Sequence, residues 1–579
     1  MLLYQLMIKT SSTVASGKYQ EAEPGPNLSL VELLLANRGI KEKEQIERFI
    51  DPSYDRHLND PFLLKDITQA VERIARAVRD QERIMIYADY DADGIPGAVV
   101  LADFFRDIGF DNFEVYIPHR HDEGFGVHLE AVDKFVADGT KLLITIDCGV
   151  ADETEVAKAM EQGLDVIITD HHEPNSSRPP AAAIIDPKQP DCSYPDKNLC
   201  GAGVIFKLIR ALMTREETYL PPGREKWYLD MVGLATLSDM VPLVEENRVL
   251  AYYGLKVLRV SRRPGLVRML RELRIRQSSL TEDDIGFMIA PRINAASRMG
   301  VATDAYTFLS LKSPEEAEPA VQHLNRINEE RKGMVAAIVK EIRKKITKQG
   351  MEDKRVIVTG DPKWRPSLLG LAAGTLAREY ERPVFLWGKD GSELLKGSAR
   401  SEGVTDLQQL MTEAREVMKS YGGHSLAGGF AIDHEHIHQL PDGLEQAAAK
   451  LQQDNPEQHN SAFQVEVDAE LRLADVNDDV CRQVEKLAPF GIGNPKPLFR
   501  FARVKIEKVR TFGKQNAHLE LILNDNEGYQ VKAIGFFQSP ADFDADITPG
   551  AIIDLLAHLE RSFFGGREEV RLRVADIKL

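Results

Sequence analysis

The chain has 579 residues, of which 43% are hydrophobic, and a formal net charge of −17. Its length predicts about three or four domains with substantial cores. No apolar run approaches the ~20 residues that a transmembrane helix needs, so we expect no membrane association. The first residues lack the basic segment and apolar core of a signal peptide, and the four cysteines contain no Cys-x-x-Cys pair. We therefore expect a cytoplasmic protein with reduced thiols.

Strands and helices alternate from about residue 80 to residue 240, after an N-terminal extension predicted to be helical over residues 1–70. Each predicted strand is a short apolar, β-branched run, and a helix-like segment separates it from the next strand. This alternation is typical of a doubly wound parallel sheet, which we assign to residues 71–260. The predicted strands lie at 84–88, 113–117, 142–147, 166–170 and 182–186.

The remainder of the chain predicts three further regions. Residues 261–350 are helix-rich and end in a long connecting helix over 315–348. Strand signals return in residues 351–450 and predict a second α/β domain. A polar linker leads into residues 451–579, where alternating strand runs and one helix are typical of an OB-type β-barrel. The segments concerned are strands at 355–359 and 384–387, a helix at 368–380, the linker at 452–460, strands at 498–509, 518–523 and 529–537, and a helix at 478–487.

Three aspartates, Asp89, Asp91 and Asp93, alternate in the loop between the first predicted strand and the helix that follows it. Carboxylates crowded into so small a volume repel one another unless a cation neutralises them. An EF-hand calcium loop begins in a similar way, but it needs a glutamate at its twelfth position, which is Val100 here. The spacing therefore favours a different kind of metal site.

Further candidate ligands come after other predicted strands. Asp147 closes the third strand, the triplet Asp170-His171-His172 closes the fourth, and Asp239 ends a helix-like stretch. Ligands bind such sheets at the carboxyl ends of the strands, and carboxylates and imidazoles are good ligands for divalent metals. The alternative interpretation is a set of helix caps and hydrogen-bonded histidines. Together with the aspartates of the loop, the set is typical of a two-metal hydrolase.

Two stretches rich in Lys and Arg, at 259–276 and 500–514, stand out against the acidic average. Phosphate binding requires positive charge only locally. For the first stretch, a solvated helix face and a nucleic-acid surface are equally open. The second lies in the predicted barrel, so we favour nucleic acid there. Phe499, Phe501 and Phe512 are candidates for base stacking, although we expect at least two of them in the core.

The order of these motifs resembles that of the DHH phosphoesterase superfamily and, within it, the RecJ family of bacterial 5′→3′ single-strand DNA exonucleases. The resemblance covers roughly residues 30–579. It implies an α/β fold with a DHH-type doubly wound parallel sheet, a long connecting helix, a DHHA1-type α/β domain and a C-terminal OB-type β-barrel. Similar segments outside the aspartate and histidine motifs are 117–120, 123–126, 199–204, 291–296, 396–401, 422–424, 487–491 and 493–495.

By this resemblance, the site holds one or two divalent cations, Mn²⁺ or Mg²⁺, that activate water to attack a phosphodiester. Asp89 is either a ligand or a neighbour of the ligands, and His172 binds metal, contacts the scissile phosphate or assists proton transfer. Arg120, Arg298, Ser398 and Arg400 are expected to hold the 5′-terminal phosphate or the next one, with His424 in the same cleft. The expected metal ligands are Asp89, Asp91, Asp93, Asp147, Asp170, His171 and Asp239.

The sequence departs from the family pattern in several segments. Residues 95–97 read Ile-Pro-Gly where Thr or Ser is usual, Ser297 replaces a glycine, and residues 427–429 read Ala-Gly-Gly in place of Ala-Ala-Gly. Residues 364–367 read Trp-Arg-Pro-Ser where the family has a Trp-His-x-Gly segment, so a histidine of the second domain is missing. The metal-binding residues are intact, so the departures concern how the second domain holds substrate.

The residues and the resemblance together predict a metal-dependent single-stranded-DNA-specific exonuclease that releases mononucleotides from the 5′ end in DNA repair and recombination. Short-oligonucleotide or cyclic-dinucleotide phosphodiesterases, and inorganic pyrophosphatases of this type, share the metal core but are shorter and lack the barrel. A non-catalytic replication scaffold is the alternative from another class, and the retained carboxylates oppose it. We expect a monomer with single-stranded DNA as partner and, through the resemblance alone, single-strand-binding protein and a RecQ-type helicase.

Overall fold

The structure is a computed structural model that describes residues 13–15, 18–19, 28–389, 394–403, 405–454, 465–513, 516–543, 545–564 and 567–578. These residues group into two compact units. One unit is drawn from residues 1–58, 240–252 and 463–579, and the other from residues 59–239 and 253–462. Within the described ranges, every helix is too short or too polar to span a bilayer.

The strands and α-helices are numbered in chain order. The strands are β1 (Thr13–Ala15), β2 (Lys18–Tyr19), β3 (Ile84–Ala88), β4 (Phe113–Tyr116), β5 (Leu142–Ile146), β6 (Asp165–Thr169), β7 (Ala183–Ile185), β8 (Ile357–Gly360), β9 (Val384–Gly388), β10 (Leu395–Arg400), β11 (Ser420–Gly423), β12 (Ala427–Ile432), β13 (Val465–Glu466), β14 (Ala469–Glu470), β15 (Phe499–Phe512), β16 (His518–Asn524), β17 (Gln530–Phe536), β18 (Ile552–Phe564) and β19 (Arg567–Lys578). The helices are α1 (Leu30–Asn37), α2 (Lys43–Ile50), α3 (Tyr54–His57), α4 (Ile67–Arg79), α5 (Gly94–Asp107), α6 (Leu129–Ala137), α7 (Glu153–Glu161), α8 (Gly201–Leu212), α9 (Leu229–Ser238), α10 (Glu245–Leu258), α11 (Pro264–Glu272), α12 (Ala290–Met299), α13 (Thr303–Ser310), α14 (Pro314–Gln349), α15 (Pro366–Tyr380), α16 (Leu407–Glu413), α17 (Leu440–Asp454) and α18 (Asp478–Glu485).

Parallel strands form the first sheet, in the order β4-β3-β5-β6-β7. Every residue of β3 and β5 is buried, as expected for strands covered by helices on both faces. The predicted doubly wound parallel sheet is confirmed, and each strand begins within one residue of its predicted start. Ala88 pairs with Ile146, and Ile146 with Thr169, so the carboxyl ends of β3, β5 and β6 lie side by side. The residues that follow these three strands are therefore brought together.

The helical region between the two α/β domains ends in the long helix α14, which confirms the connecting helix predicted over 315–348. Pro314 occupies its first turn, where an N–H group has no intrahelical partner. Gly350 ends it with φ +62, the left-handed conformation that favours glycine. A π-helix, Asp284–Ile289, leads directly into α12.

The second sheet has the order β11-β12-β10-β9-β8, with β8 and β9 parallel and the other neighbours antiparallel. The starts of β8, β9 and α15 differ by at most two residues from the predicted starts at 355, 384 and 368. The helix α15 packs on the sheet with a nearly continuous buried face. The central strand β10 carries Ser398 and Arg400, and the turn between β11 and β12 carries His424. The predicted smaller α/β domain is therefore present.

The C-terminal strands form a closed barrel in the order β14-β15-β16-β17-β19-β18, with β15 also paired to β18. This confirms the predicted OB-type barrel. Phe499 and Phe501 are fully buried in its core, as expected for at least two of the three phenylalanines named above. Leu34 and Phe49, from α1 and α2, belong to the same core, a packing that the predicted 1–70 extension did not indicate. Of the predicted linker, residues 452–454 belong to α17 and residues 455–460 lie outside the described residues.

Candidate metal centre

The loop between β3 and α5 is fixed by hydrogen bonds to its own aspartates. The Oδ1 atom of Asp91 accepts from the backbone N–H groups two and three residues later, at 2.8 and 3.3 Å, a turn that starts α5. The buried carboxylate of Asp93 accepts from the N–H groups of Gly201 (2.6 Å) and Ala202 (2.8 Å). These groups open α8, and a helix N-terminus favours an anion. The loop thus holds its carboxylates, including that of Asp89, at the end of β3.

His171 lies at the centre of the residues that follow the strands. Its Nε2 atom is 3.0 Å from Oδ1 of Asp147, 3.6 Å from Oδ2 of Asp93 and 3.8 Å from Oδ2 of Asp239. The ring also hydrogen-bonds to the backbone of Leu199, which fixes its orientation. Asp239 caps the C-terminal end of α9, as the sequence predicted. The structure therefore brings together side chains that are up to 146 positions apart, from Asp93 to Asp239.

Three overlapping groups of these side chains have the arrangement of metal ligands. Within each group the ligand atoms lie within 4.8 Å of one another. Asp147 belongs to two of the groups and His171 to another two, so the donor atoms form one continuous cluster. Carboxylate oxygens mixed with imidazole nitrogen suit Mn²⁺, and the carboxylate-rich part also suits Mg²⁺. The groups are Asp89, Asp91 and Asp147; Asp93, His171 and Asp239; and Asp147, His171 and His172.

The electrostatics of this cluster favours a cation. Burial, reinforced by nearby carboxylates, raises the pKa of Asp89 and Asp147, raises that of Asp93 to about 7 and raises that of Asp239 to about 9. Burial and the neighbouring His172 lower the pKa of His171 to about 4, which keeps it neutral and able to bind metal. The buried Oδ1 atom of Asp89 has no hydrogen-bond partner among the described residues. A bound cation would satisfy that oxygen and neutralise the carboxylates.

Asp170 is placed differently from the other predicted ligands. Its Oδ1 atom accepts from Nδ1 of His172 (2.7 Å) and from the backbone N–H groups of His171 (2.8 Å) and His172 (3.2 Å). Its Oδ2 atom accepts from the N–H of Val150 (3.0 Å). Burial opposes its ionisation, but the hydrogen bond from His172 lowers the pKa of Asp170 overall. Asp170 thus orients His172, and its predicted role as a metal ligand stays a prediction.

Two arginines, Arg120 and Arg298, lie near carboxylates of the cluster, and Arg400 is a neighbour of Arg298. The guanidinium of Arg120 stacks over the ring of Tyr90, 4.7 Å from its centroid. Burial, with the positive charges of Arg120 and others, lowers the pKa of Arg298 to about 9, while Asp91 opposes this shift. Burial lowers the pKa of Arg400. Half-buried cations that repel one another favour an anionic ligand, and guanidinium groups suit phosphate.

Ser398 and His424 have fewer contacts than the arginines. Ser398 is half-buried in β10, between Leu386 and Gly429 of the adjacent strands. His424 is exposed, and its backbone N–H donates to the carbonyl of Ala427 (2.8 Å). Across the described ranges, neither side chain hydrogen-bonds to the metal-site residues, and their predicted substrate contacts stay predictions.

The segment that departs from the family pattern supports Arg298. Nη1 of Arg298 donates to the carbonyl of Ser367 (2.7 Å), and the hydroxyl of Ser367 donates back to the carbonyl of Arg298 (3.1 Å). Trp364 is buried in the core of the second domain. Ser297 is buried and its hydroxyl donates to the carbonyl of Asn294 (3.3 Å). Both departures therefore have a structural role next to Arg298.

Sequence reasoning missed two contributors to this region. The side chain of Asn294 accepts from the N–H of Ala92 (2.9 Å) and so ties α12 to the aspartate loop. Arg331, on α14, is a further positive neighbour of Arg298. Asn294 belongs to a segment noted for its family resemblance, whereas nothing in the sequence distinguishes Arg331 from the other charged residues of its helix.

The barrel presents a separate aromatic cluster. The ring centroid of His518 lies 5.2 Å from that of Phe512 and 4.8 Å from that of Phe537, which is 83% exposed. Of the basic stretch predicted here, Lys505 and Lys508 are exposed. Arg500 of the same stretch forms ion pairs with Glu470 and Asp554. Lys514 lies outside the described residues.

Comparisons with known proteins agree with this architecture. The DHH family N-terminal domain matches residues 83–236, the DHHA1 domain matches residues 353–453, and the RecJ OB domain matches residues 467–576. The single-stranded-DNA-specific exonuclease RecJ of Bacillus subtilis is 34% identical over 549 residues, which are 94% of this chain and 67% of the relative. The RecJ of Haemophilus influenzae is 30% identical over 87% of this chain and 88% of its own length.

Solved structures are similar over most of the chain. The crystal structure of RecJ from Thermus thermophilus in complex with Mn²⁺ matches with a TM-score of 0.76 and 28% identity, covering 95% of this chain and 76% of that one. The same protein in complex with Mg²⁺ matches with a TM-score of 0.71 and 26% identity. With three domain matches in the same order and relatives of at least 30% identity along most of their length, the chain belongs to the RecJ family of the DHH superfamily.

Proposed function

We propose that this protein is a metal-dependent exonuclease that hydrolyses single-stranded DNA from the 5′ end and releases mononucleotides during DNA repair and recombination. The observation that carries the proposal is a cluster of metal-ligand side chains beside half-buried guanidinium groups. Asp91 belongs to that cluster and is also an electrostatic neighbour of Arg298. A site that can hold cations next to a site that can hold phosphate is suited to phosphodiester hydrolysis.

The chain's own residues divide the chemistry between them. We propose that Asp89, Asp91, Asp93, Asp147, Asp170, His171 and Asp239 hold the ions or orient their ligands. When bound, divalent cations such as Mn²⁺ or Mg²⁺ supply a nucleophilic water at neutral pH and neutralise the charge that develops on the phosphate. Asp170 holds the Nδ1 atom of His172. We propose that the Nε2 atom of His172 holds the scissile phosphate or carries a proton.

End specificity is assigned to the arginines. Arg120, Arg298 and Arg400 grip the 5′-terminal phosphate, with Ser398 and His424 at the same side of the site. Guanidinium groups bind phosphate through two parallel hydrogen bonds and stay charged. Because Arg298 is fixed to Ser367 (2.7 Å), the second α/β domain sets the position of this grip.

The barrel is proposed to bind the strand by stacking and charge. Phe512, His518 and Phe537 form an aromatic cluster, and Phe537 is largely exposed. Aromatic stacking of this kind tolerates every base and contributes about 1–3 kcal/mol per base. We therefore expect the barrel to bind single strands without a sequence preference.

We also propose that the protein works as a monomer in the cytoplasm, with single-strand-binding protein and a RecQ-type helicase as partners. The resemblance to the family is the support for these partners. Light scattering of the purified protein tests the monomer, and co-migration with each purified partner tests the association.

The remaining alternatives are not favoured. Dinucleotide phosphodiesterases would leave the barrel without a role. A non-catalytic scaffold would need no metal ligands, whereas the donor cluster and the orphaned carboxylate oxygen of Asp89 are intact.

The proposal is tested by digestion of labelled single strands with Mn²⁺ or Mg²⁺. The substrates are a 5′-phosphorylated strand, a 5′-hydroxyl strand, a 3′-blocked strand and a duplex, each with its RNA counterpart. We expect mononucleotides from the 5′ end of the DNA strands, no effect of the 3′ block and no attack on the duplex. The Asp147→Asn variant is the inactive control. Hydrolysis of dinucleotides with intact long strands, or no hydrolysis with undetectable metal binding, contradicts the proposal.

A further inference from the structure

Arg331, on the long helix α14, adds positive charge near Arg298 but lacks a polar partner of its own among the described residues. Arg331 is half-buried, and its buried Nε atom has no hydrogen-bond partner in the described part of the chain. Within the described ranges, no carboxylate lies within ion-pair distance of its guanidinium. An unsatisfied buried donor is costly, and a guanidinium cannot relieve that cost by losing its proton.

The other two arginines of the same helix are paired. Arg326 contacts Glu330 at 2.8 Å, and Arg343 contacts Glu379 at 2.7 Å. Glu329 attracts the charge of Arg331. Its carboxylate, however, forms an ion pair with Lys332 at 2.8 Å. Among the described residues, Arg331 is therefore left without a partner in a helix that otherwise pairs its guanidinium groups.

Two other neighbours of Arg331 are positive, Arg298 and Arg292. The charge of Arg331 lowers the pKa of Arg298 and of Arg292, after the larger effect of burial in each case. Arg292 is held in place by Asn325 (2.6 Å) on α14 and by the carbonyl of Met288 (2.5 Å). Burial also lowers the pKa of Arg331 itself, against the attraction of Glu329. Arg292 is thus held near Arg331 by hydrogen bonds to neutral groups.

One terminal phosphate cannot serve all of these cations. The proposed grip on the 5′-terminal phosphate already uses Arg120, Arg298 and Arg400. Arg331 adds a further positive charge from α14, next to both Arg298 and Arg292 of α12. A single DNA strand brings its next negative charge only one nucleotide away along the backbone. The chemistry that matches a second cluster of guanidinium groups beside the first is the adjacent phosphodiester.

We propose that Arg331, supported by Arg292, binds a backbone phosphate of the bound strand, separate from the 5′-terminal phosphate, and so positions the strand for cleavage. This inference rests on the proposed function, since it assumes a single-stranded substrate. The helix that connects the two α/β domains becomes part of the substrate site.

The test compares Arg331→Gln with the matched control Arg326→Gln, which removes the same charge from the same helix. For Arg331→Gln we expect KM for single-stranded DNA to rise at least about tenfold with kcat nearly unchanged. The slope of log KM against log salt should fall by about one unit, as for the loss of one phosphate contact. Arg326→Gln should leave both quantities unchanged. Binding of single-stranded DNA to metal-free protein in EDTA, followed by fluorescence anisotropy, should weaken by the same factor.

A neutral methylphosphonate, placed at one linkage at a time near the 5′ end, locates the contact. At the linkage bound by Arg331 it should weaken binding to the unmodified protein and add nothing in Arg331→Gln. If Arg331→Gln matches Arg326→Gln in KM, salt slope and anisotropy while both degrade DNA, the inference is wrong and the proposed function stands. If the unmodified protein does not degrade single strands, the proposed function fails instead. If circular dichroism shows that Arg331→Gln is unfolded, Arg331→Lys replaces it, because lysine keeps the charge. We then expect an unchanged salt slope and a lower affinity for single-stranded DNA. Unchanged affinity would overturn the inference.

Discussion

The Nδ1 atom of His172 lies 2.7 Å from the Oδ1 atom of Asp170. Through this contact Asp170 orients His172. Although burial opposes the charge, the hydrogen bond to Asp170 raises the pKa of His172 above its ordinary value. Asp170→Asn keeps one side-chain oxygen, replaces the other with an amide group and removes the negative charge. We expect the pKa of His172 to fall, which NMR titration of the metal-free protein measures, and turnover to drop about 10–100-fold.

The same variant tests the ligand role predicted from the sequence. If Asp170 only orients His172, Asp170→Asn still binds Mn²⁺ in calorimetry, with affinity reduced by no more than about 100-fold. Complete loss of Mn²⁺ binding would instead support Asp170 as a ligand. Asp133→Asn, at an exposed position outside the site, is the control for the charge change.

The carboxylate of Asp239 is expected to destabilise the metal-free protein at neutral and higher pH. Burial and the charge of Asp93 raise its pKa to about 9, above the ordinary value of 3.8. Between these values the folded protein binds more protons than the unfolded chain, so stability falls as pH rises through this window. Asp239→Asn removes that loss. In EDTA at pH 8 we expect its Tm to rise by about 2–4 °C, for a gain of about 1 kcal/mol.

Two conditions make this prediction specific. Well below pH 4, where Asp239 is protonated in both states, the variant and the unmodified protein should have the same Tm. Addition of Mn²⁺ should raise the Tm of the unmodified protein by more than that of Asp239→Asn. Binding stabilises the folded state, and the variant lacks one of the proposed metal ligands. A lower Tm for Asp239→Asn in EDTA at pH 8 would show that the carboxylate of Asp239 does not destabilise the metal-free protein.

Gly201 is predicted to be essential for the position of Asp147. A Cβ atom on Gly201 would lie 2.7 Å from the Cβ atom of Asp147, closer than real side chains approach. Gly201→Ala should therefore displace Asp147, weaken Mn²⁺ binding and reduce turnover about 10–100-fold, while circular dichroism stays unchanged. Gly333→Ala is the control, because nothing among the described residues lies within 4 Å of its Cβ position. It should keep full activity, with a Tm equal or higher because Ala favours a helix. Equal activities of the two variants would contradict the prediction.

The parallel sheet and the site at its edge could be predicted because both depend on local pattern. Buried strands appear as short β-branched runs, and their carboxyl ends must meet once the strands are parallel, which places Asp89, Asp147 and His171 together. The long helix α14 was predicted for a similar reason, since few breakers interrupt it. In each case a local signal in the sequence predicts the element.

What the sequence did not indicate depends on contacts between distant residues. Leu34 and Phe49 look like the apolar face of an independent helical extension, yet they join the barrel core because of long-range packing. Arg331 looks like any charged residue of a solvated helix, and only the lack of a partner among the described residues distinguishes it. Asp170 looks like a ligand beside His171, and only its four hydrogen bonds separate it from the others. Pairing and burial are properties of the folded chain, not of residue type or spacing.

The first basic stretch illustrates the same point and leads to a stability prediction. Arg263 is not on a nucleic-acid surface, because its Nη1 atom contacts Oδ2 of Asp103 at 2.8 Å and its Nε atom contacts Oδ2 of Asp230 at 2.8 Å. Lys312 also contacts Asp103, at 2.9 Å. Removing one partner of a buried ion pair leaves an uncompensated charge and costs about 3–5 kcal/mol. We expect Asp103→Ala to lower the free energy of unfolding by about 3 kcal/mol, measured by urea denaturation at pH 7, because Arg263 keeps Asp230.

The pH dependence distinguishes this pair from a packing defect. Burial opposes ionisation, but Arg263 lowers the pKa of Asp103 overall. The stabilisation by this carboxylate is therefore present above the unfolded pKa near 3.8 and is lost as pH falls through the lower folded pKa. The difference between Asp103→Ala and the unmodified protein should shrink as pH falls below about 4. Asp133→Ala, which removes an exposed carboxylate paired with Lys158 at 2.7 Å, should leave the free energy of unfolding unchanged at pH 7. A loss for Asp103→Ala that stays constant down to acid pH would assign the effect to packing instead of charge.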